Sequence, residues 1–279
     1  MDKTTLISEL FRIYTSCPGN VLTVEAAISP ELAGISFYEE PLVGFAAADD
    51  PLFDTYQLPD VIGPWHKKPK EWLPEAATVI SMFLPFTEDV LSSNRMEKQF
   101  PSAAWLHARV EGQAFLNIFA DRVAQWLREQ GYAACVPCGD VRFVCFNHSG
   151  IAMPGLPEGV HTSNWSERHA AYACGLGTFG LSKGLITEKG IAGRFSSVIT
   201  SLRVEPDQRP YTDPYEYCTR CGACARRCPV NAISVEHGKA HGPCAEHVHH
   251  SLELYDPRYG CGLCQTGVPC ERKKPQELR

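Results

Sequence analysis

The chain reads as an α+β protein in two parts, a helix-and-sheet domain over residues 1–205 and a small cysteine-rich domain over 206–279. Three observations predict it. The first 205 residues alternate between helical three-and-four repeats and short apolar runs bounded by proline and charge. Eight of the thirteen cysteines fall between residues 218 and 270. A Pro- and Asp-rich stretch from Glu205 to Pro214 separates the two parts. At 279 residues and 44% hydrophobic, the chain can bury a substantial core and has room for one medium domain plus a small one.

Apolar residues at Leu6, Ile7, Leu10, Phe11 and Tyr14 mark a first helix over 5–16, stopped by Pro18-Gly19. The runs Leu42 to Ala46 and Ala77 to Leu84 read as buried strands. From Ser102 to about Glu129, Leu106, Val110, Phe115, Ile118, Phe119, Val123, Trp126 and Leu127 repeat at three and four, one long amphipathic helix ended by Gly131. A strand over 132–136 follows, and residues 167–172 read as helix. Ser197 to Val204 is β-branched and alternating, a strand leading into the cysteines.

The run Cys218-Thr-Arg-Cys221-Gly-Ala-Cys224-Ala-Arg-Arg-Cys228-Pro229 has the ligand spacing of a bacterial ferredoxin. Three thiolates so spaced wrap three corners of one 4Fe-4S cube, while the fourth cysteine, followed by proline, serves a second cube. That second cube needs ligands downstream, and Cys244, Cys261, Cys264 and Cys270 are there. The most economical assignment gives one cluster Cys218, Cys221, Cys224 and Cys270, and the other Cys228, Cys244, Cys261 and Cys264. Zinc competes for paired cysteines, but usually shows two separated pairs. The downstream half is less regular, since five residues separate Cys264 from Cys270 and Glu271 stands where proline would. Its pairing stays open.

Met1 to Thr5 carry neither a signal-peptide pattern nor a twin arginine, and no apolar run approaches the length of a membrane span. With reduced thiolates required, a cytoplasmic protein is expected. A net charge of −6 argues against a nucleic-acid partner. The one basic cluster, Arg272-Lys273-Lys274, reads as solvated.

Glycines crowd Cys174-Gly175-Leu176-Gly177-Thr178-Phe179-Gly180-Leu181-Ser182-Lys183-Gly184, letting backbone approach a planar or anionic ligand. The stretch follows a helix, whereas a dinucleotide fingerprint follows a strand, so the Rossmann reading fails its context. A tight turn is the plain structural alternative. The order of this loop, then Leu185-Ile186-Thr187, Gly190 and Arg194, a strand ending Val198-Ile199-Thr200, and the cysteine array resembles the cobalamin-dependent iron-sulfur reductases, which include epoxyqueuosine reductase and the reductive dehalogenases. The similarity covers most of residues 75–270. It implies a nitroreductase-like α+β domain holding a base-off cobalamin, followed by a ferredoxin-like domain whose two 4Fe-4S clusters feed the cobalt. It also implies that Gly175, Gly177, Thr178, Gly180 and Lys183 lie against the corrin. Arg194 and Ser163-Asn164-Trp165 are further cobalamin-binding candidates.

Departures from the family narrow the expectation. Epoxyqueuosine reductase has an Asp proton donor shortly before the glycine loop, yet here no Asp occurs between residues 141 and 206. It also has a C-terminal repeat extension that helps engage tRNA, whereas this sequence stops soon after Cys270. The expectation is therefore a shorter paralogue reducing a small molecule, without tRNA or membrane, fed by a ferredoxin or flavodoxin. The alternative is an electron-transfer or corrinoid-handling protein with no substrate of its own. A third reading puts a flavin in the α+β domain. Reduction at cobalt needs a proton donor, for which His161, Glu167, His169 and Tyr172 are candidates, with Tyr172 and Glu167 foremost. Each has a packing or surface role as its bland alternative. Cys135, Cys138, Cys145 and His148 have zinc-like spacing, but buried strand cysteines fit better, as for Cys17 and Cys174. His241, His247, His249 and His250 around Cys244 read as a solvated loop.

Overall fold

The computed structural model describes residues 1–146 and 162–276. The chain runs α1 (Lys3–Ser16), β1 (Leu42–Ala47), β2 (Thr78–Pro85), α2 (Glu88–Met96), α3 (Ala103–Glu129), β3 (Ala134–Cys135), α4 (Glu167–Ala173), β4 (Gly177–Phe179), β5 (Leu185–Thr187), β6 (Gly193–Thr200), α5 (Ala223–Arg226) and α6 (His241–Tyr255), with single turns and two-residue strand pairs between them. Asp2 caps α1 by accepting from the Thr5 amide, and Ser102 caps α3 by accepting from the Trp105 amide.

The central sheet has the order β1-β2-β6-β3 and every pair is antiparallel. All eight residues of β2 are buried, so both sheet faces are covered. The two-residue period sorts the side chains. Phe45, Ile80 and Val198 join Leu6, Leu10, Phe115 and Phe119 of α1 and α3 in one core, while Val79 and Ile199 join Phe53, Trp72 and Trp165 in the other. A third apolar cluster, with Tyr172, Ile186, Ile191, Tyr211 and Tyr217, packs against Cys218, Cys221, Cys224 and Cys270.

Four readings of the sequence change. The strand expected over 132–136 contributes only Ala134 and Cys135, the edge that meets Thr200 and Ile199. The strand expected from Ser197 starts at Gly193, because Phe195 and Ser196 already pair with Phe83 and Met82. The glycine-rich segment folds into the β4–β5 hairpin. The histidine tract is helix α6, not a loop: His247 is buried against Phe100, their ring centroids 5.1 Å apart, and Ser251 beside it one turn on is fully buried.

The cysteine-rich segment is keyed into the rest of the molecule. Asp207 accepts from the Phe45 amide and pairs with Lys3. Arg227 donates to the Asn94 and Glu97 carbonyls at the end of α2, Arg258 pairs with Glu111 of α3, and Arg95 pairs with Glu271.

Candidate functional site

The eight downstream cysteines form two groups. Cys270 feels the charge of Cys218, Cys221 and Cys224, whereas Cys261 and Cys264 feel that of Cys228 and Cys244. Cys218, Cys221, Cys224 and Cys270 line one largely apolar cavity with Gly180, Ile186 and Ile191 of the β4–β5 hairpin and its flanks. The groups meet at Cys224 and Cys264. Their local geometry repeats: Cys221-Gly222-Ala223-Cys224 and Cys261-Gly262-Leu263-Cys264 both turn on a left-handed glycine, with φ of 70° and 68°. Only glycine enters that region freely. The recurrence of Cys-Gly-x-Cys was legible in the sequence, and it gives the irregular downstream half the same turn as the upstream run.

Burial pushes the Cys261 and Cys270 thiols up to about 12 and Cys224 to about 11, with neighbouring thiolates adding to the effect. Four such thiolates need a cationic centre among them. The sulfurs of a mononuclear zinc site lie within about 4 Å of one another, and among the described residues no three His, Cys, Asp or Glu converge in that way. A four-iron cube instead spreads its ligands over four metals, and each of the two groups brings four cysteines together.

A second constellation lies where α3, α4 and β6 face one another. Glu167, the first residue of α4, has Oε2 buried with no hydrogen-bond partner, and Oε1 accepts from the Cys138 thiol at 3.1 Å. Burial pushes its carboxyl above the ordinary value, against the opposing pull of hydrogen bonds from Cys138, Ser197 and Trp165. Beside it, Arg168 retains exposed surface while protein surrounds its guanidinium closely enough to push its pKa down. Arg194 of β6 is pushed down to about 9 by desolvation first and by Arg109 next. We read the partial exposure of Arg168 and Arg194 amid closely packed protein as a recess between α3, α4 and β6. Arg168 feels the thiolate of Cys264, so the recess adjoins the second cysteine group.

Of the candidate catalytic and cobalamin-binding residues, the structure places Glu167 and Arg194 in this constellation and gives most others packing roles. Tyr172 lies about 140° around α4 from Glu167, with its ring on Phe179 and Tyr211 and its carbonyl accepting from the Tyr211 hydroxyl. His169 bonds Ser166 at 2.8 Å and burial pushes it down to about 3, leaving no proton to give at neutral pH. Trp165 is buried and stacked on Phe53 and His66; Asn164 spends its amide on Val144 and Arg142; the Ser163 hydroxyl donates to the Trp165 carbonyl. A Cβ on Gly177 would sit 1.9 Å from the Ile186 carbonyl oxygen, and Gly175 abuts the Gln208 carbonyl, so protein backbone occupies the space expected for a ligand. Thr178 is fully buried and accepts from the Tyr217 amide. Gly180 faces the Cys218 cavity, and Lys183 turns outward to His241. His161 and His148 lie outside the described residues. Cys135 pairs with Asp140 and Cys138 with Glu167, so these thiols do not share a metal site. Arg109, Gln113 and Arg168 went unseen in the sequence because single arginines in amphipathic helices look like solvated charge.

Fold and thiol array define an iron-sulfur protein of mixed helix and sheet. A 4Fe-4S binding domain model matches residues 212–234. The tetrachloroethene reductive dehalogenase of Desulfitobacterium hafniense is 34% identical over 128 residues, 45% of this chain and 19% of that protein. The corresponding enzyme of Dehalobacter restrictus is 33% identical over the same length. The chain therefore spans about a fifth, 19%, of the curated relatives it matches. A solved selenomethionine-labelled epoxyqueuosine reductase superposes with a TM-score of 0.52 at 21% identity, covering 99% of this chain and 68% of that one. The catabolic reductive dehalogenase NpRdhA gives 0.51 at 17%, covering 84% and 30%. At these identities the structural likeness is one of fold. Together the matches bear out the resemblance to the reductive dehalogenases and epoxyqueuosine reductase. Among the described residues no helix is long and apolar enough to cross a membrane.

Proposed function

We propose that this chain is a reductase that holds two 4Fe-4S clusters and a cobalamin, and that it reduces a small molecule in the recess with Glu167 as proton donor. Cys218, Cys221, Cys224 and Cys270 would hold one cluster, and Cys228, Cys244, Cys261 and Cys264 the other. The observation that carries the reading is the placement of Glu167 at the start of α4 beside Arg168, which lies near Cys264 of the second cysteine group. The buried, unpartnered Oε2 of Glu167 and the enclosed arginines Arg168 and Arg194 form a polar set that a large polar guest would satisfy. When bound, cobalamin would supply the low-potential cobalt chemistry that no side chain provides.

Glu167 takes the place of the missing Asp. Its burial favours the protonated carboxyl, the form a general acid needs, and the Cys138 thiol holds one of its oxygens. A proton donor so placed favours an enzyme over a bare electron carrier. A ferredoxin or flavodoxin is the proposed electron source, the substrate a small molecule.

Anaerobic reconstitution with iron, sulfide and cobalamin tests this. The corrinoid should co-elute with the protein on gel filtration and give a base-off cobalt(II) EPR signal. Corrinoid lost from protein with intact clusters would overturn the reading in favour of electron transfer alone.

A further inference from the structure

We infer that the recess selects an organic anion, with Arg109 and Arg194 clamping a carboxylate or phosphate group of the guest and Arg168 facing it from α4. Calling that guest the substrate rests on the reductase reading; the anion site itself does not. Arg109 and Gln113 lie one turn apart on the same face of α3, 5–6 Å between neighbours of this kind being typical. The Arg194 Nε donates to the Gln113 Oε1 at 2.7 Å, which brings the two guanidinium groups together. Arg109 is held by neutral groups: its Nη2 donates to the Tyr259 hydroxyl at 2.8 Å, and its guanidinium carbon sits 4.4 Å above the Tyr259 ring.

Among the described residues no carboxylate pairs with Arg109, Arg168 or Arg194. Glu111, the acid nearest Arg109 along α3, is taken by Arg258. Burial disfavours the charged forms of the other titratable groups beside the three arginines. Burial raises the thiols of Cys138 and Cys145 and the hydroxyl of Tyr38, and it holds Glu167 toward its acid form. Arg109 and Arg194 spend hydrogen bonds on the Tyr259 hydroxyl and the Gln113 amide oxygen, and among the described residues neither pairs with a carboxylate. Enclosed like charges persist where a ligand completes them, and a guanidinium fork matches a carboxylate or phosphate in two parallel hydrogen bonds.

Calorimetric titration of the full chain, purified anaerobically with its clusters and with and without added cobalamin, tests this with benzoate, phenyl phosphate and neutral benzamide. Charge-assisted bonding predicts that benzoate binds about tenfold or more tighter than benzamide. Arg194→Gln and Arg109→Gln, checked by circular dichroism for an intact fold, should bring the two ligands to parity, while Arg122→Gln on the outer face of α3 leaves the preference unchanged. Equal binding of benzoate and benzamide by the wild type, or a preference that survives both substitutions, overturns the proposal. If the substitutions instead abolish corrinoid retention while benzoate and benzamide bind wild type equally, the arginines serve the corrinoid and the proposal again fails. A wild type that prefers benzoate but never retains corrinoid sinks the reductase reading and leaves the anion site standing.

Discussion

Alanine at Gly262 should cost far more than alanine at Gly222, although the two glycines occupy equivalent turns. Both are left-handed, and placing any other residue there costs about 1–2 kcal/mol. At Gly222 a Cβ would meet only Arg226 Nη1 and Val235 Cγ2, each at 3.2 Å and each free to yield. At Gly262 it would fall 1.9 Å from Trp105 Cζ2 and 2.0 Å from Cε2. Trp105 cannot retreat: it is buried at the start of α3 with its ring centroid 4.8 Å from that of Phe86. Overpacking of this kind adds roughly 1–3 kcal/mol. Gly222→Ala should therefore lose about 1–2 kcal/mol and Gly262→Ala about 2–5, a gap of several degrees in Tm for a chain of this size. The turn carries Cys261 and Cys264, so the Gly262 variant should also lose about half its iron. Thermal melts and iron analysis of anaerobically purified protein decide it. Equal melting points and equal iron in the two variants would refute the steric argument, as would failure of Trp105→Ala to relieve Gly262→Ala.

Glu167→Gln should stabilise the protein at neutral pH. A carboxyl whose folded pKa is raised binds more protons folded than unfolded between its ordinary and raised values, so wild-type stability falls as pH rises through that window. Urea unfolding across pH should show the variant gaining on wild type from acid toward neutral pH. A wild type that gains instead would mean the carboxyl is ionised and paired. Cys270→Ser should remove the cluster of the Cys218 group and spare the other, read as loss of about half the iron with one EPR signal retained. Loss of both would show that the groups do not assemble independently.

The sequence carried the core elements because they obey short-range rules. The three-and-four repeat of α3 and the unbroken apolar run of β2 appear in the structure within a residue or two of where the pattern put them. Residues whose role depends on long-range packing were harder. Gly177 and Thr178 looked like a ligand cradle because glycine next to glycine signals close approach, but what approaches is the Ile186 carbonyl of the facing strand. Tyr172 and Glu167 share one short helix, and nothing local says which side faces the aromatic cluster and which the recess. Arg109 and Arg194 are 85 positions apart and meet through Gln113, a contact that only the packing of α3 on β6 creates. The cysteine grouping fell between these cases: spacing fixed the upstream run, and the fold brought Cys270 back to it.

That return depends on the edge of the β5–β6 turn. The Ile191 amide donates to the Cys270 carbonyl at 2.8 Å, the Ala192 amide to that of Glu271 at 3.1 Å, and Gly190, at φ +85°, leaves room for the Glu271 backbone. The fourth thiolate is thus positioned by hydrogen bonds from a strand turn remote in sequence from Cys218, Cys221 and Cys224. In a zinc finger the ion drives the folding of its own loop. On the proposed ligand set the order would reverse: until the tail has docked, the chain would offer the cube three corners, and closing that long loop would precede complete metallation. Iron–sulfur insertion would then act as a checkpoint on biogenesis, since only a molecule with its tail docked would present all four proposed ligands.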